Sequence, residues 1–308
     1  MKVVSLLASP YSGSTILSMA LGSHPDVAAF GDTYFSPAHP AHRCSCGAPF
    51  KECPLRQRLN RRMADYGFPS YWDTAQPLPG GGPWLERPYL YLKRRLGPHA
   101  PSLRHALDVV LAGPAYRARF VREQHAFLAA LEAETGAVHY FDGCKSPARA
   151  ALMLDAFPDT KILHLIRDPR GYLASFAKHF EQRSSRPPSA DEVETAFRWW
   201  RRDNALVAAY EHELPTDRYL RVQYAELISD PEATLRRIGR FIGIDGTRDP
   251  CSLDRSRLHV SGNTTNLVST RIERRRLGGW RDRDAPLDWD RIEARARRLS
   301  FIELEPVR

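Results

Sequence analysis

The sequence predicts an α/β fold: a central parallel sheet flanked by helices, with an inserted, mostly helical cap. Three observations predict it. The chain has 308 residues of which 43% are hydrophobic, enough to bury a sizeable core. Short β-branched or apolar runs recur at 3–8, 27–31, 138–142, 161–166 and 218–223, each bounded by Gly, Pro, Asp or charged residues as buried strands are. Helix-patterned stretches lie between them, and strands that alternate with helices pair in parallel with both faces covered. There is no internal repeat.

The first run leaves the N-terminus with a single Lys and reaches Ser9-Pro10 at once. It is too short for a signal peptide and reads as a strand. A helix over 14–23 follows it. Residues 40–125 break the alternation: they are rich in Arg, Pro and aromatics, with three consecutive glycines inside 76–84. This stretch reads as a cap with a mobile loop, inserted into a single domain spanning 1–308. Its aromatics, among them Tyr66, Tyr71, Trp72 and Trp84, suit either stacking on an acceptor or helix packing. The alternation resumes with a strand at 138–142, a helix at 149–157, a strand at 161–166 and a helix at 171–180. A long helix is expected over 191–214, where Phe197, Trp200, Leu206 and Val207 fall near one side. After the strand at 218–223, a helix over 231–242 carries Leu235, Ile238 and Ile242 at helical spacing. The arginine-rich stretch 255–285 reads as a solvated or ligand-binding segment rather than core.

Charge narrows the partners. The 45 basic and 36 acidic residues leave +9, with a sequence pI near 9.5. That balance points to an anionic partner: nucleic acid, a membrane surface or a phosphorylated ligand. No run of 18 apolar residues exists to form a transmembrane helix. Five cysteines are an odd number in a long chain, which argues against a disulfide framework and for a reducing cytoplasm.

The sharpest local signal is Ser9-Pro10-Tyr11-Ser12-Gly13-Ser14-Thr15, directly after a strand and before a helix. A turn of small residues there exposes backbone N–H groups at a helix N-terminus, where the helix dipole favours phosphate or sulfate. The plainer alternative is a Ser-capped turn. No Lys follows the Gly as in the nucleotide-triphosphatase loop, so the sheet is P-loop-like without that loop's key side chain.

Further along the chain stand Leu21-Gly22-Ser23-His24-Pro25-Asp26-Val27, Phe30-Gly31-Asp32, Lys145-Ser146-Pro147, Arg167-Asp168-Pro169-Arg170 with Ser175, Tyr224-Ala225-Glu226-Leu227, and Arg271-Ile272-Glu273-Arg274. In this order, from Ser9 to about Trp280, they resemble the motifs of the sulfotransferase family, in particular its bacterial, tyrosyl-protein and heparan branches. The resemblance implies 3′-phosphoadenosine 5′-phosphosulfate (PAPS) as sulfuryl donor. It implies that Tyr11, Ser12, Gly13, Ser14 and Thr15 hold the 5′-phosphosulfate. Arg167 and Ser175 would hold the 3′-phosphate, and Tyr224, Ser269, Thr270, Arg271 and Arg274 would complete the nucleotide site. His259, Gly262 and Asn263 resemble a segment of the bacterial members and are equally compatible with plain loop roles. Tyr224 is equally compatible with core at a strand end; the alternative for Arg167, a surface ion pair to Asp168, is disfavoured by Ser175 at the family's offset.

For catalysis the resemblance implies Asp32 as general base, with the tyrosyl-protein branch placing the base one residue later, at Thr33; a turn-capping Asp32 is the alternative. The family's first loop usually begins with Lys or Arg, and Tyr11 carries no charge at neutral pH. Lys145 is then the candidate cation at the leaving group. The implied acceptor is a small molecule, glycan or peptide; neither nucleic acid nor membrane is expected as partner, no metal is required, and no oligomeric state is implied.

His42, Cys44, Cys46 and Cys53 form the best metal-ligand pattern, with His42 as the fourth ligand. The CxC spacing departs from the usual CxxC pairs of structural zinc. Similar segments in bacterial sulfotransferases leave a packed knuckle without metal as the reading adopted, and Cys144 and Cys251 read as inert core thiols. Two other functions compete with sulfuryl transfer: a sulfotransferase-like protein that binds nucleotide or polyanion without turnover, and a P-loop kinase, which the missing Lys and the Arg167–Ser175 spacing disfavour.

Overall fold

In the computed structural model, residues 1–31, 43–68, 101–244, 246, 248–262, 270–272, 277–281 and 287–305 are described, those of 101–113 and Ala148 by backbone alone. The middle strand, β1 (Lys2–Ala8), is buried along nearly its whole length. Alternate residues therefore feed opposite faces of the sheet. Val4 and Leu6 join one core with Ile16 and Leu17, whereas Val3 packs with Phe127 and Tyr140 on the other side. β2 (Val27–Ala29), β3 (His139–Asp142), β4 (Lys161–Ile166) and β5 (Tyr219–Gln223) complete a five-stranded sheet of order β2-β3-β1-β4-β5. Every pairing is parallel. The chain fills one side of β1 first, then crosses to β4 on the other. The C-terminal ends of β1 and β4 thus flank the topological switch point, where open α/β sheets bind ligands.

Helices cover both faces. On one, α1 (Ser14–Gly22) packs with the helix over Pro231–Ile242, whose Leu235, Ile238 and Ile242 face the sheet. On the other lie α2 (Pro54–Asp65), α3 (Pro101–Thr135) and α4 (Pro147–Ala156), meeting through Leu59, Met63, Leu131 and Leu152. The remaining helices are α5 (Pro169–Ser184), α6 (Ala190–Ala208), the one-turn α7 (Tyr210–Glu213), α8 (Tyr224–Ser229), α9 (Pro231–Ile242) and α10 (Trp289–Ala296). Among the described residues no helix is long and apolar enough to cross a membrane.

Three expectations need adjusting. The single helix expected over 191–214 divides at Ala209, and the short α7 brings Tyr210 and Leu214 onto the cluster around Tyr219. The limit of 125 for the cap falls inside the continuous α3, whose later residues Phe127 and Leu131 are core; 40–42 and 69–100 of that stretch lie outside the described residues. The arginine-rich 255–285 stretch is not wholly solvated: Leu258, Val260, Ile272 and Trp280 are buried, because apolar side chains alternate with its charges.

Candidate active site

The loop after β1 enters α1 through Gly13, which adopts a left-handed conformation (φ 86°). A side chain there would be strained, and a Cβ would lie 2.6 Å from the ring of Tyr224. Gly13 makes no side-chain cap and no acidic residue stands in the first turn of α1, so no carboxylate of the helix itself offsets the positive end of its dipole. Ser12, Ser14 and Thr15 are all buried around it.

Arg167 follows β4, the neighbour of β1, and its guanidinium crosses to this loop. Its Nη1 donates to the Tyr11 carbonyl at 2.6 Å and to the Ser175 hydroxyl at 3.0 Å. The guanidinium carbon lies 4.8 Å from the centre of the Tyr224 ring. Gly171 leaves room for it, since a Cβ there would come within 2.9 Å of Arg167 Nε. The Asp168 carboxylate instead caps α5, grips Arg170 at 2.6 Å and accepts from the Glu305 amide. Among the described residues Arg167 forms no ion pair with it. Two donors at this junction, Ser12 Oγ and Arg167 Nε, are buried without a hydrogen-bond partner among the described residues. Buried polar groups are ordinarily satisfied, and an anionic ligand would satisfy both. Tyr11, Ser12, Gly13, Ser14, Thr15, Arg167, Ser175 and Tyr224 therefore come together beyond the C-terminal ends of β1 and β4.

Tyr11 takes part through its carbonyl. Its backbone is left-handed (φ 62°), and its ring stacks on His179 of α5 with centroids 4.8 Å apart. Burial raises the phenol above its ordinary pKa, partly offset by Arg183, so it remains protonated at neutral pH. The other end of the loop is held by a chain of hydrogen bonds that sequence reading did not find. Asn204 donates to Ser9 Oγ at 2.9 Å and to the Trp200 carbonyl at 2.7 Å, leaving its oxygen to accept from His164 Nε2 at 3.1 Å. His164 Nδ1 then accepts from Tyr219 at 2.8 Å. Burial lowers the His164 pKa to about 3 and keeps the ring neutral. A His and an Asn on buried helix and strand faces were the available signals.

Lys145 lies beyond the C-terminal end of β3, in a left-handed turn (φ 62°). The turn is built firmly: Asp142 accepts from the Cys144 amide at 3.2 Å and from Arg149 at 2.5 Å, and Ser146 caps α4. Next to it, a Cβ on Gly143 would lie 2.6 Å from the Gly31 carbonyl. Gly31 forms a parallel bridge with Ser261, and a Cβ on Gly262 would lie 2.4 Å from Thr15 Oγ1. The ends of β2 and β3, the 259–262 loop and the first turn of α1 thus abut. Asp32, Thr33, His39, His42, Asn263, Ser269 and Arg274 lie outside the described residues.

Thr270 and Arg271 are not gathered at the loop. Thr270 accepts from the Leu253 amide at 3.0 Å, and exposed Arg271 pairs with Asp249. Asp249 borders a groove of about 250 Å³ lined by Ala20, Leu21 and Leu235, at the opposite end of α1 from Gly13. Beside Cys44, Cys46 and Cys53 stands His259, which spacing alone could not single out; His42 lies outside the described residues. None of the five cysteines, all described, is in a disulfide.

Comparison with known proteins adds a second line. The sequence pattern described as "Sulfotransferase family" matches residues 4–250. No curated protein sequence matches the chain. Among solved structures, the sulfotransferase domain of the olefin synthase of Synechococcus PCC 7002 is similar at 18% identity, over 99% of this chain and 96% of that one, with a TM-score of 0.53. The sulfotransferase domain from the curacin biosynthetic pathway is 16% identical over 99% of each chain, TM-score 0.52. Sulfotransferase STF9 from Mycobacterium avium is 15% identical over 99% of this chain and 77% of its own, TM-score 0.51. At these identities the likeness is one of fold.

Proposed function

The chain belongs to the sulfotransferase family, and from that premise we propose that it moves the sulfuryl group of PAPS to a hydroxyl of a small-molecule, glycan or peptide acceptor. The observation that carries the reading is the Arg167 guanidinium, held between the Tyr11 carbonyl and Ser175 beside the N-terminus of α1. In this reading the 5′-phosphosulfate takes the α1 amides and the Ser12 hydroxyl. The 3′-phosphate takes Arg167, including the Nε that is without a hydrogen-bond partner among the described residues, and Ser175; a fork of N–H donors suits a phosphate monoester. Tyr224 flanks the nucleotide, and Ser269 and Arg274 complete its site; Thr270 and Arg271, held at Leu253 and Asp249, take no part. Neither nucleic acid nor membrane is needed to account for the basic balance.

Sulfuryl transfer resembles phosphoryl transfer in relying on positioning and charge stabilisation. In the proposed reaction Asp32 accepts the acceptor hydroxyl proton as the new S–O bond forms and the bond to the bridging oxygen breaks. Lys145 meets the charge that develops on that oxygen, which Tyr11, with its ring turned onto His179, does not neutralise. That orientation also gives weight to a second reading, nucleotide binding without turnover. The test has two arms. The desulfated nucleotide should raise the melting temperature while ATP does not. Incubation with PAPS and mixed hydroxyl acceptors should give a product heavier by one sulfuryl group. Stabilisation without product across all acceptor classes would favour the second reading, and no stabilisation by the desulfated nucleotide would overturn both.

A further inference from the structure

We propose that Cys44, Cys46, Cys53 and His259 form a closed structural zinc site that fastens the turn preceding α2 to the loop running along the candidate active site. The inference stands independently of the transfer reaction.

Geometry carries it. Cys53 Sγ lies 3.1 Å from His259 Nδ1, a residue 206 positions away in the chain. Cys44 Sγ lies 3.6 Å from Cys53 Sγ and 4.0 Å from His259 Nδ1. The four ligand atoms, Cys46 Sγ included, are all within 4.8 Å of one another. Tetrahedral zinc with bonds of about 2.3 Å to sulfur and about 2.0 Å to nitrogen requires sulfurs about 3.8 Å apart and sulfur–nitrogen separations of about 3.5 Å. The two sulfur–nitrogen distances bracket the second value, the Cys44–Cys53 sulfurs at 3.6 Å lie close to the first, and three thiols with one imidazole make a Cys₃His set. A disulfide would need sulfurs about 2.05 Å apart and would leave one thiol over.

The surroundings suit the charge. Three thiolates and one Zn²⁺ leave a net charge of −1. Arg56, fully buried, donates to the His259 carbonyl at 2.9 Å and lies against the rings of Phe50 and Phe30, at 4.0 and 4.7 Å. Cys53 is also the residue that opens α2, where the helix dipole favours a thiolate. The frame around the ligands is built independently of metal. Cys44 and Ala48 close a tight turn with left-handed Gly47, and the Ser45 amide and hydroxyl bond the Val260 carbonyl and amide, each at 2.9 Å.

Zinc here would join two segments whose only covalent link runs through most of the sheet. The tethered loop continues into Ser261, which donates to the Phe30 carbonyl, and Gly262, which lies on Thr15. With four protein ligands the site leaves no position for substrate, which marks it as structural rather than catalytic.

The full-length protein, produced with zinc in the medium and desalted, should carry about one zinc per chain by elemental mass spectrometry. Cys46 is exposed, so Cys46→Ser spares the packing; it should lower zinc retention during dialysis against a chelator, as should His259→Ala, whereas Cys251→Ser should not. Cobalt introduced in place of zinc should give thiolate-to-cobalt charge-transfer absorption that weakens in Cys46→Ser. Wild-type protein without zinc above background, zinc retained equally by wild type and both ligand variants, or a Cys44–Cys53 disulfide in the peptide map would each overturn the assignment.

Discussion

The guanidinium of Arg167 donates to the backbone carbonyl of Tyr11 at 2.6 Å, tying the loop that opens α1 to the loop that opens α5. The bond spends one of five N–H donors on the fold. Ser175 takes a share of the same nitrogen at 3.0 Å, and Nε has no hydrogen-bond partner among the described residues. Arg167 is thus oriented before any ligand arrives, which reduces the conformational cost of binding.

Arg167→Ala should weaken binding of the desulfated nucleotide roughly ten- to hundredfold, the loss expected for a charge-assisted hydrogen bond. Arg167→Lys should recover only part, because an ammonium cannot reproduce the planar fork. Calorimetry on the three proteins checks this, and equal affinities would remove the proposed 3′-phosphate site.

Gly13→Ala should cost about 1–3 kcal/mol in denaturant unfolding, since it forces a side chain into a left-handed backbone. It should also abolish nucleotide binding, because the new Cβ meets the Tyr224 ring. If the clash is the cause, adding Tyr224→Ala should restore part of the stability but not the strain-dependent remainder.

Much of this arrangement was legible in the sequence, and the limits have physical causes. Buried parallel strands such as 161–166 announce themselves as apolar runs between breakers, and β4 has those limits. The Arg167–Ser175 offset puts Arg167 just before a helix and Ser175 about two turns further on, so their meeting is a local matter. The bond to Tyr11 and the Ser9–Asn204–His164–Tyr219 chain are long-range, set by which strands become neighbours. No local pattern encodes such neighbours. His259 illustrates the same point: spacing favoured His42 near the cysteines, while sheet topology brings in a histidine from the far end of the chain.

His164 gives a prediction in pH. It is buried and neutral, with its pKa lowered to about 3 against an ordinary 6.5. Below 6.5 the unfolded chain takes up a proton that the folded protein refuses, so stability is full above 6.5 and is lost as pH falls toward 3. The expected contribution is about 2 kcal/mol between pH 7 and pH 5. Urea unfolding at a series of pH values should show a shallower acid slope for His164→Gln than for wild type; parallel curves would mean that His164 is charged in the fold.

The last prediction concerns the chemistry. Gly31 is fixed on two sides, by its bridge to Ser261 and by the close approach of Gly143. The next residue in the chain, Asp32, therefore leaves from a fixed point. The Lys145 turn leaves from the neighbouring strand end, held by the buried Asp142–Arg149 pair at 2.5 Å. If Asp32 is the base, Asp32→Asn should lower turnover by roughly 10²–10⁴-fold with nucleotide affinity nearly intact. Lys145→Ala should lower turnover more than affinity, because its contact strengthens only as charge develops on the leaving oxygen. Asp142→Asn separates positioning from chemistry. It loosens the turn and should cost about 3–5 kcal/mol of stability, the price of leaving a buried guanidinium without its carboxylate. Its turnover should fall while the pH dependence of the remaining activity keeps the wild-type shape, since the base is untouched. Wild-type turnover in Asp32→Asn would move the base to another residue, with Thr33, His39 and His42 the next to be substituted.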